Sequence, residues 1–148
     1  MMATYNIEPA SVNDYDQIIN VWEASVRATH EFLSESDLLL YKELLSTKYL
    51  AMVKLYCIKT DGQIAAFAGV AGNSIEMLFA HPSHFGKGVG RSLTEFAIRE
   101  LGCRAVDVNE QNRIALLFYI KMGFDVTGRS ETDGLGKPYP ILHLQLAT

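Results

Sequence analysis

One stretch limits the folds open to this chain more than any other: Ser74 to Leu101, SIEMLFAHPSHFGKGVGRSLTEFAIREL. An apolar run from Ile75 to Ala80 predicts a strand, Pro82 closes it, and three glycines follow. Val89, Leu93, Phe96, Ala97 and Leu101 then recur on one face at helical spacing, so the helix must dock back on a sheet. Gly86, Gly88 and Gly90 remove side chains where the backbone bends and where a ligand can come close. They leave free N–H groups at the positive end of the helix, a place for an anion and above all a phosphate, with Lys87 and Arg91 beside it. A glycine turn that binds nothing stays open as the plain alternative.

Two nucleotide motifs can be tested on the spacing. A Walker loop needs GxxxxGK followed by Ser or Thr, and Gly86-Lys87 is followed by Gly88, so that reading fails. The dinucleotide fingerprint finds two glycines in Gly88-Val89-Gly90 and an acid at about the right distance in Asp107, but Leu93 stands where the third glycine belongs. A small dinucleotide-binding oxidoreductase is thus the poorer match.

With 148 residues, 49% hydrophobic and 20% charged, the chain suits a single globular domain over 1–148 and not a disordered one. A net charge of −4 argues against nucleic acid or an anionic membrane as partner. Cys57 and Cys103 fit neither a zinc pattern nor a disulfide framework, and read as two buried thiols in a reducing compartment. The opening MMATYNIEPAS has no basic region and no long apolar core, so a cytoplasmic protein is expected. His30, His81, His84 and His143 lack ligand spacing, and no metal site is expected.

Along the chain, Tyr5 to Glu8 predicts a strand, and Ser11 with Asp14 a capping box opening a helix from Val12 to Thr29. Ser34 with Asp37 repeats the box and starts a second helix near Glu35, which leaves a short link containing His30, Glu31 and Phe32. Met52–Thr60 and Gln63–Gly72 form a hairpin about Asp61-Gly62, and Gly72-Asn73-Ser74 turns into the next strand. Cys103–Asn109 is a further strand, parallel to that one through the glycine-turn helix. Asn112 caps a helix that Gly123 ends, and Phe124–Gly128 and Ile141–Ala147 complete the sheet. The fold class is α/β: a mixed, mostly antiparallel sheet of about seven strands with four helices.

These pieces, in this order, resemble the GCN5-related N-acetyltransferase superfamily, in particular its small bacterial members. The resemblance runs through Thr29-His30 and Phe32-Leu33, Leu78 to Pro82, the GxGxG of Gly86 to Gly90, VNEQN at Val108 to Asn112, FYxKxGF at Phe118 to Phe124, and DGLGKPYP at Asp133 to Pro140. It implies an enzyme using acetyl coenzyme A, with the fourth and fifth strands splayed to hold the pantetheine arm. Leu78, Phe79 and Ala80 would line that arm, with Asn109 and Asn112 across it. Phe85, Gly86, Lys87, Gly88, Val89, Gly90 and Arg91 would hold the pyrophosphate. Phe85 stands where the family has glutamine or arginine, and backbone N–H groups carry most of the grip.

The same resemblance matches Tyr119 to the tyrosine that protonates, or hydrogen-bonds to, the departing thiolate. A phenol of pKa about 10 and a thiol of comparable pKa make that feasible. Otherwise Tyr119 is a core aromatic beside Phe118. Glu76, a carboxylate in the central strand, is expected to face away from Met77 and Phe79 by alternation and is one candidate base. His30, with an ordinary pKa of about 6.5, is the rival. A backbone N–H at Leu78 or Phe79, where related folds carry a bulge, would receive the carbonyl oxygen's charge. His30, Glu31 and Phe32 would flank the acceptor, and Glu131, Asp133 and Tyr139 in the last loop would attract a cationic amine. The partner is a small-molecule or peptide amine, the protein a monomer or homodimer. A non-catalytic module that binds acyl coenzyme A explains the glycine turn equally well.

Overall fold

The computed structural model describes residues 5–147. The first four residues of the amino-terminal segment lie outside the described residues. Seven strands form one sheet in the order β1-β2-β3-β4-β5-β7-β6. They are β1 (Ile7–Pro9), β2 (Lys54–Thr60), β3 (Gln63–Ala71), β4 (Ser74–Ala80), β5 (Ala105–Asn109), β6 (Phe124–Ser130) and β7 (Ile141–Leu146). Every pairing is antiparallel except β4 with β5, which excludes the parallel sheet a dinucleotide fold requires. Four helices cover it: α1 (Tyr15–Thr29), α2 (Glu35–Leu44), α3 (Val89–Arg99) and α4 (Arg113–Lys121).

The elements arise where the sequence signals lie, with shifts at their ends. Ser11 N–H donates to the Asp14 carboxylate at 2.9 Å, but this box opens a 3-10 turn, Val12–Asp14, before α1 begins. Ser34 Oγ accepts from Asp37 N–H at 3.1 Å and starts α2 as expected. Asn112 Oδ1 caps α4 by accepting from Ala115 N–H at 3.2 Å. α3 stops at Arg99, and β5 begins at Ala105, so Cys103 lies ahead of the strand rather than in it. Both cysteines are free and fully buried, and burial pushes the Cys57 thiol up to about 11. α2 continues into a π turn, Leu45–Tyr49, that the sequence did not announce.

α1 and α2 pack on one face of the sheet, where Ile18, Trp22, Leu38 and Leu45 meet Leu55, Cys57 and Phe67. α3 and α4 pack on the other: Val89 and Leu93 meet Ile58 and Ala66, and Tyr119 joins Val106, Val108 and Leu144. The helices of the first face stop short of β5, β7 and β6. There Asp107, His143 and Ser130 lie in a hydrogen-bonded row, with His143 Nδ1 and Nε2 each 2.7 Å from its neighbour.

Candidate active site

β4 and β5 pair only at Ser74 with Ala105 and Ile75 with Val106, and part beyond them. From Glu76 to Ala80 the edge of β4 has no β5 partner, so its backbone groups face the gap. The strand also bulges at this point. Met77 sits opposite Gly69 and Ile75 opposite Val70, which leaves Glu76 as the extra residue. This corrects two expectations. The bulge is at Glu76, while Leu78 and Phe79 keep regular pairing with Ala68 and Phe67. And the extra residue resets the alternation, so Glu76 faces the same cavity as Met77 and Phe79 rather than the opposite side.

That cavity, about 370 Å³, lies between the α1/α2 layer and the sheet. Trp22 and Val26 of α1 form one wall, and Tyr41, Leu45 and Tyr49 another. Phe32 and Leu33 of the link, Asn109 of β5 and Ile141 of β7 close the remainder. Of the expected acceptor residues the structure brings together His30, Phe32, Glu76, Asp133 and Tyr139; Glu31 is exposed and outside. Sequence reasoning missed Trp22, Tyr41, Leu45, Tyr49 and Met77. The four-residue spacing of Tyr41, Leu45 and Tyr49 was the available signal.

The two candidate bases differ in environment. Partial burial, and then the nearby Asp107 carboxylate, raise the Glu76 carboxyl above its ordinary value, which makes it the stronger base. Burial lowers the His30 imidazole to about 4, overturning its expected value near neutrality. Thr29 gives its one hydroxyl proton to Ser25 C=O at 2.8 Å, so its oxygen accepts from His30 Nδ1–H at 2.7 Å. The free lone pair of His30 is therefore on Nε2.

The last loop is a strap rather than an acidic lure. Tyr139 O–H donates to Asp37, Lys137 Nζ pairs with the same carboxylate at 2.9 Å, and Tyr41 O–H donates to Asp133. Asp133 Oδ1 also accepts from Leu135 and Lys137 N–H at 3.0 and 2.9 Å, and Glu131 pairs with Arg129 at 2.9 Å. Of the groups expected to attract a cation, Asp133 and Tyr139 hold the loop against α2, and Glu131 is paired with Arg129 of β6.

On the far side of the gap, Gly86 and Gly88 have φ of +75° and +84°, values that favour glycine. Gly88 precedes α3 without any side-chain cap, so the first N–H groups of the helix, from Val89 to Arg91, stay free. Arg91 pairs with Glu95 at 3.0 Å, and Lys87 C=O accepts from Tyr5 O–H at 2.6 Å. Phe85 is exposed at the head of the turn. Gly90 lies against α4: a Cβ there would stand 3.8 Å from Phe118 Cζ. Tyr119 is 5% exposed, edge-on to Phe118 and Phe124 at 5.1 and 5.7 Å, and lies outside the cavity on the α4 side of the sheet. Burial raises its phenol above the ordinary value, so it is a hydrogen-bond donor before it is an acid.

An uncapped helix start, a glycine-lined turn and an unpaired strand edge suit a ligand with a diphosphate and an amide-bearing arm. Among the described residues no three His, Cys, Asp or Glu side chains are grouped to hold a metal, and no helix is long and apolar enough to cross a membrane.

Comparison with known proteins agrees with this geometry. The chain is 41% identical over 140 residues to the peptidyl-lysine N-acetyltransferase YjaB of Salmonella typhimurium, covering 94% of this chain and 96% of that one. The solution structure of apo-form YjaB from Escherichia coli matches at a TM-score of 0.89 and 36% identity, over 98% of this chain and 99% of that one. The PaiA N-acetyltransferase of Thermoplasma acidophilum, solved in complex with coenzyme A, shares the fold at a TM-score of 0.72 and 20% identity, over 98% of this chain and 100% of that one. The model of the acetyltransferase (GNAT) domain matches residues 52–126, and the chain belongs to that family.

Proposed function

We propose that the protein transfers the acetyl group of acetyl coenzyme A to a primary amine by direct attack in a ternary complex. The observation that carries this reading is the opening between β4 and β5, which lies between the glycine turn and a cavity presenting the Glu76 carboxylate, in no salt bridge among the described residues. The name of the Salmonella relative supports an amine as the acceptor.

The N–H groups at the start of α3, from Val89 to Arg91, bind the diphosphate, and the free edge of β4 from Leu78 to Ala80, with Asn109 opposite, orients the arm. Asn112 keeps its amide N–H₂ for the same ligand while its oxygen caps α4. Bound acetyl coenzyme A supplies an activated thioester. Glu76 takes the proton of the incoming ammonium, and His30 Nε2 accepts an N–H that aims the free amine. A backbone N–H of the unpaired edge, at Leu78 or Phe79, faces the carbonyl oxygen. The C–N bond forms as the C–S bond breaks. Tyr119 donates a hydrogen bond to the departing sulfur, which finally carries the proton the acetylated nitrogen loses. Neither buried cysteine is placed for a covalent step.

Acetyl coenzyme A consumption over a panel of primary amines, with the acetylated product identified by mass, tests the proposal. Turnover of at least one amine is expected. Saturable binding of the coenzyme with no turnover of any amine would leave a non-catalytic binding module instead.

A further inference from the structure

A residue from the amino-terminal segment reaches into the glycine turn. Tyr5 O–H donates to Lys87 C=O at 2.6 Å, across 82 positions of sequence. Its ring lies two residues ahead of β1 and packs, with Ile7, on the buried cluster of Ile58, Ala66, Val89 and Leu93. It covers one flank of the turn: a Cβ on Gly88 would stand 4.0 Å from Tyr5 Cε2.

The peptide that Tyr5 holds, between Lys87 and Gly88, is one the main chain leaves unfixed. The peptides on either side of it are held: Lys87 N–H donates to His84 C=O at 3.3 Å, and Gly88 C=O accepts from Ser92 N–H at 3.0 Å. Among the described residues the Lys87 carbonyl accepts from Tyr5 O–H alone, and the Gly88 N–H donates to no group of the protein. Gly88 has no Cβ, so it tolerates either orientation of the peptide that precedes it. In a trans peptide the C=O and N–H point in opposite directions. By drawing the carbonyl to its own flank, the Tyr5 hydroxyl therefore turns the Gly88 N–H away from the ring. With this peptide reversed, a carbonyl oxygen would stand in place of that N–H at the uncapped start of α3, and would repel an anion there.

We infer that Tyr5 is a positioning residue of the coenzyme site: by pinning the Lys87–Gly88 peptide it aims the Gly88 N–H at the diphosphate, beside those of Val89 to Arg91. This rests on the coenzyme-binding part of the reading above and adds to it a residue from outside the turn.

The test is a titration of isotope-labelled intact protein with acetyl coenzyme A, wild type against Tyr5→Phe, which keeps the ring and removes the hydroxyl. The Kd is expected to rise about fivefold or more in the variant, the loss of one well-aimed N–H on a charged oxygen. At saturation the Gly88 amide signal should move downfield in the wild type and much less in Tyr5→Phe, while the signals of His30 and Phe32 in the cavity are the same in both. A purely structural tether would lower the Tm of Tyr5→Phe and leave both the Kd and the Gly88 shift as in the wild type. That result would overturn the inference and leave the coenzyme reading standing. A Gly88 signal that stays in place in the saturated wild type, while those of Val89 to Arg91 move, would overturn it without reference to the variant. No binding of acetyl coenzyme A to the wild type at millimolar ligand would overturn both.

Discussion

Ile75 is the last residue of β4 that pairs with β5, and Val106 is its partner. The next residue, Glu76, is the bulge, so the place where the sheet opens is also the place where a carboxylate turns into the cavity. The opening of the sheet and the turn of this carboxylate into the cavity thus coincide at one irregularity of β4.

Glu76→Gln should lower kcat/KM at neutral pH by about 10²-fold or more, since it removes proton acceptance while keeping the shape. The wild-type rate should rise with pH through the raised pKa of Glu76, an acidic limb lying above 4.5, and the variant should lack it. The same shift has a stability consequence. A carboxyl whose folded pKa is raised destabilises the folded state above that pKa and not below the unfolded value, so Glu76→Gln should melt slightly higher at neutral pH. Solvent screening at so accessible a side chain keeps the gain below about 1 kcal/mol. Unchanged activity in Glu76→Gln would remove it as the base.

The imidazole of His30 should titrate with a midpoint of about 4, measured from its ring proton shifts. Because the folded pKa is depressed, this residue costs no stability above about 6.5 and progressively more as the pH falls towards 4. A midpoint near 6.5 would mean that water reaches the ring freely.

Gly88 and Gly90 should respond differently to alanine. Gly88→Ala forces a side chain into φ of +84° and should cost about 1–2 kcal/mol, read as a lowered Tm. Gly90 has no positive φ, and its Cβ would make only an ordinary contact with Phe118, so Gly90→Ala should melt no lower than wild type. On the proposed binding mode it should nevertheless bind acetyl coenzyme A at least tenfold more weakly, because the methyl narrows the space between the start of α3 and Phe118. Full affinity in Gly90→Ala would return this glycine to a purely structural role.

Tyr139→Phe keeps the ring and deletes the hydroxyl that Asp37 accepts. A loss of about 1–2 kcal/mol is expected, together with a higher KM for the amine and an unchanged KM for acetyl coenzyme A. A rise in the coenzyme KM instead would place the strap on the other side of the gap.

What was legible in the sequence was local. The strand, glycine turn and helix from Ser74 to Arg99 are written in periodicity and in residues that tolerate positive φ, and the caps at Ser34 and Asn112 are satisfied within three residues. The orientation of Glu76 was not legible, because the bulge depends on how β3 registers against β4. Tyr49 reaches the cavity wall as the last residue of the π turn, and its four-residue spacing from Leu45 and Tyr41 marks a shared face without saying that this face lines a cavity. Asp133 and Tyr139 read as free acceptor-site groups until they met Tyr41 and Asp37, which are close only in the folded chain. The lowered pKa of His30 likewise follows from burial under residues distant in sequence.

The central claim, that the backbone amides at the start of α3 clasp a coenzyme diphosphate, is tested most directly by titrating isotope-labelled protein with acetyl coenzyme A and following the amide signals from Gly86 to Arg91. The account predicts saturable shifts of these signals, accompanied by those of Leu78 to Ala80 on the open edge of β4. Signals that stay in place at millimolar acetyl coenzyme A would contradict it.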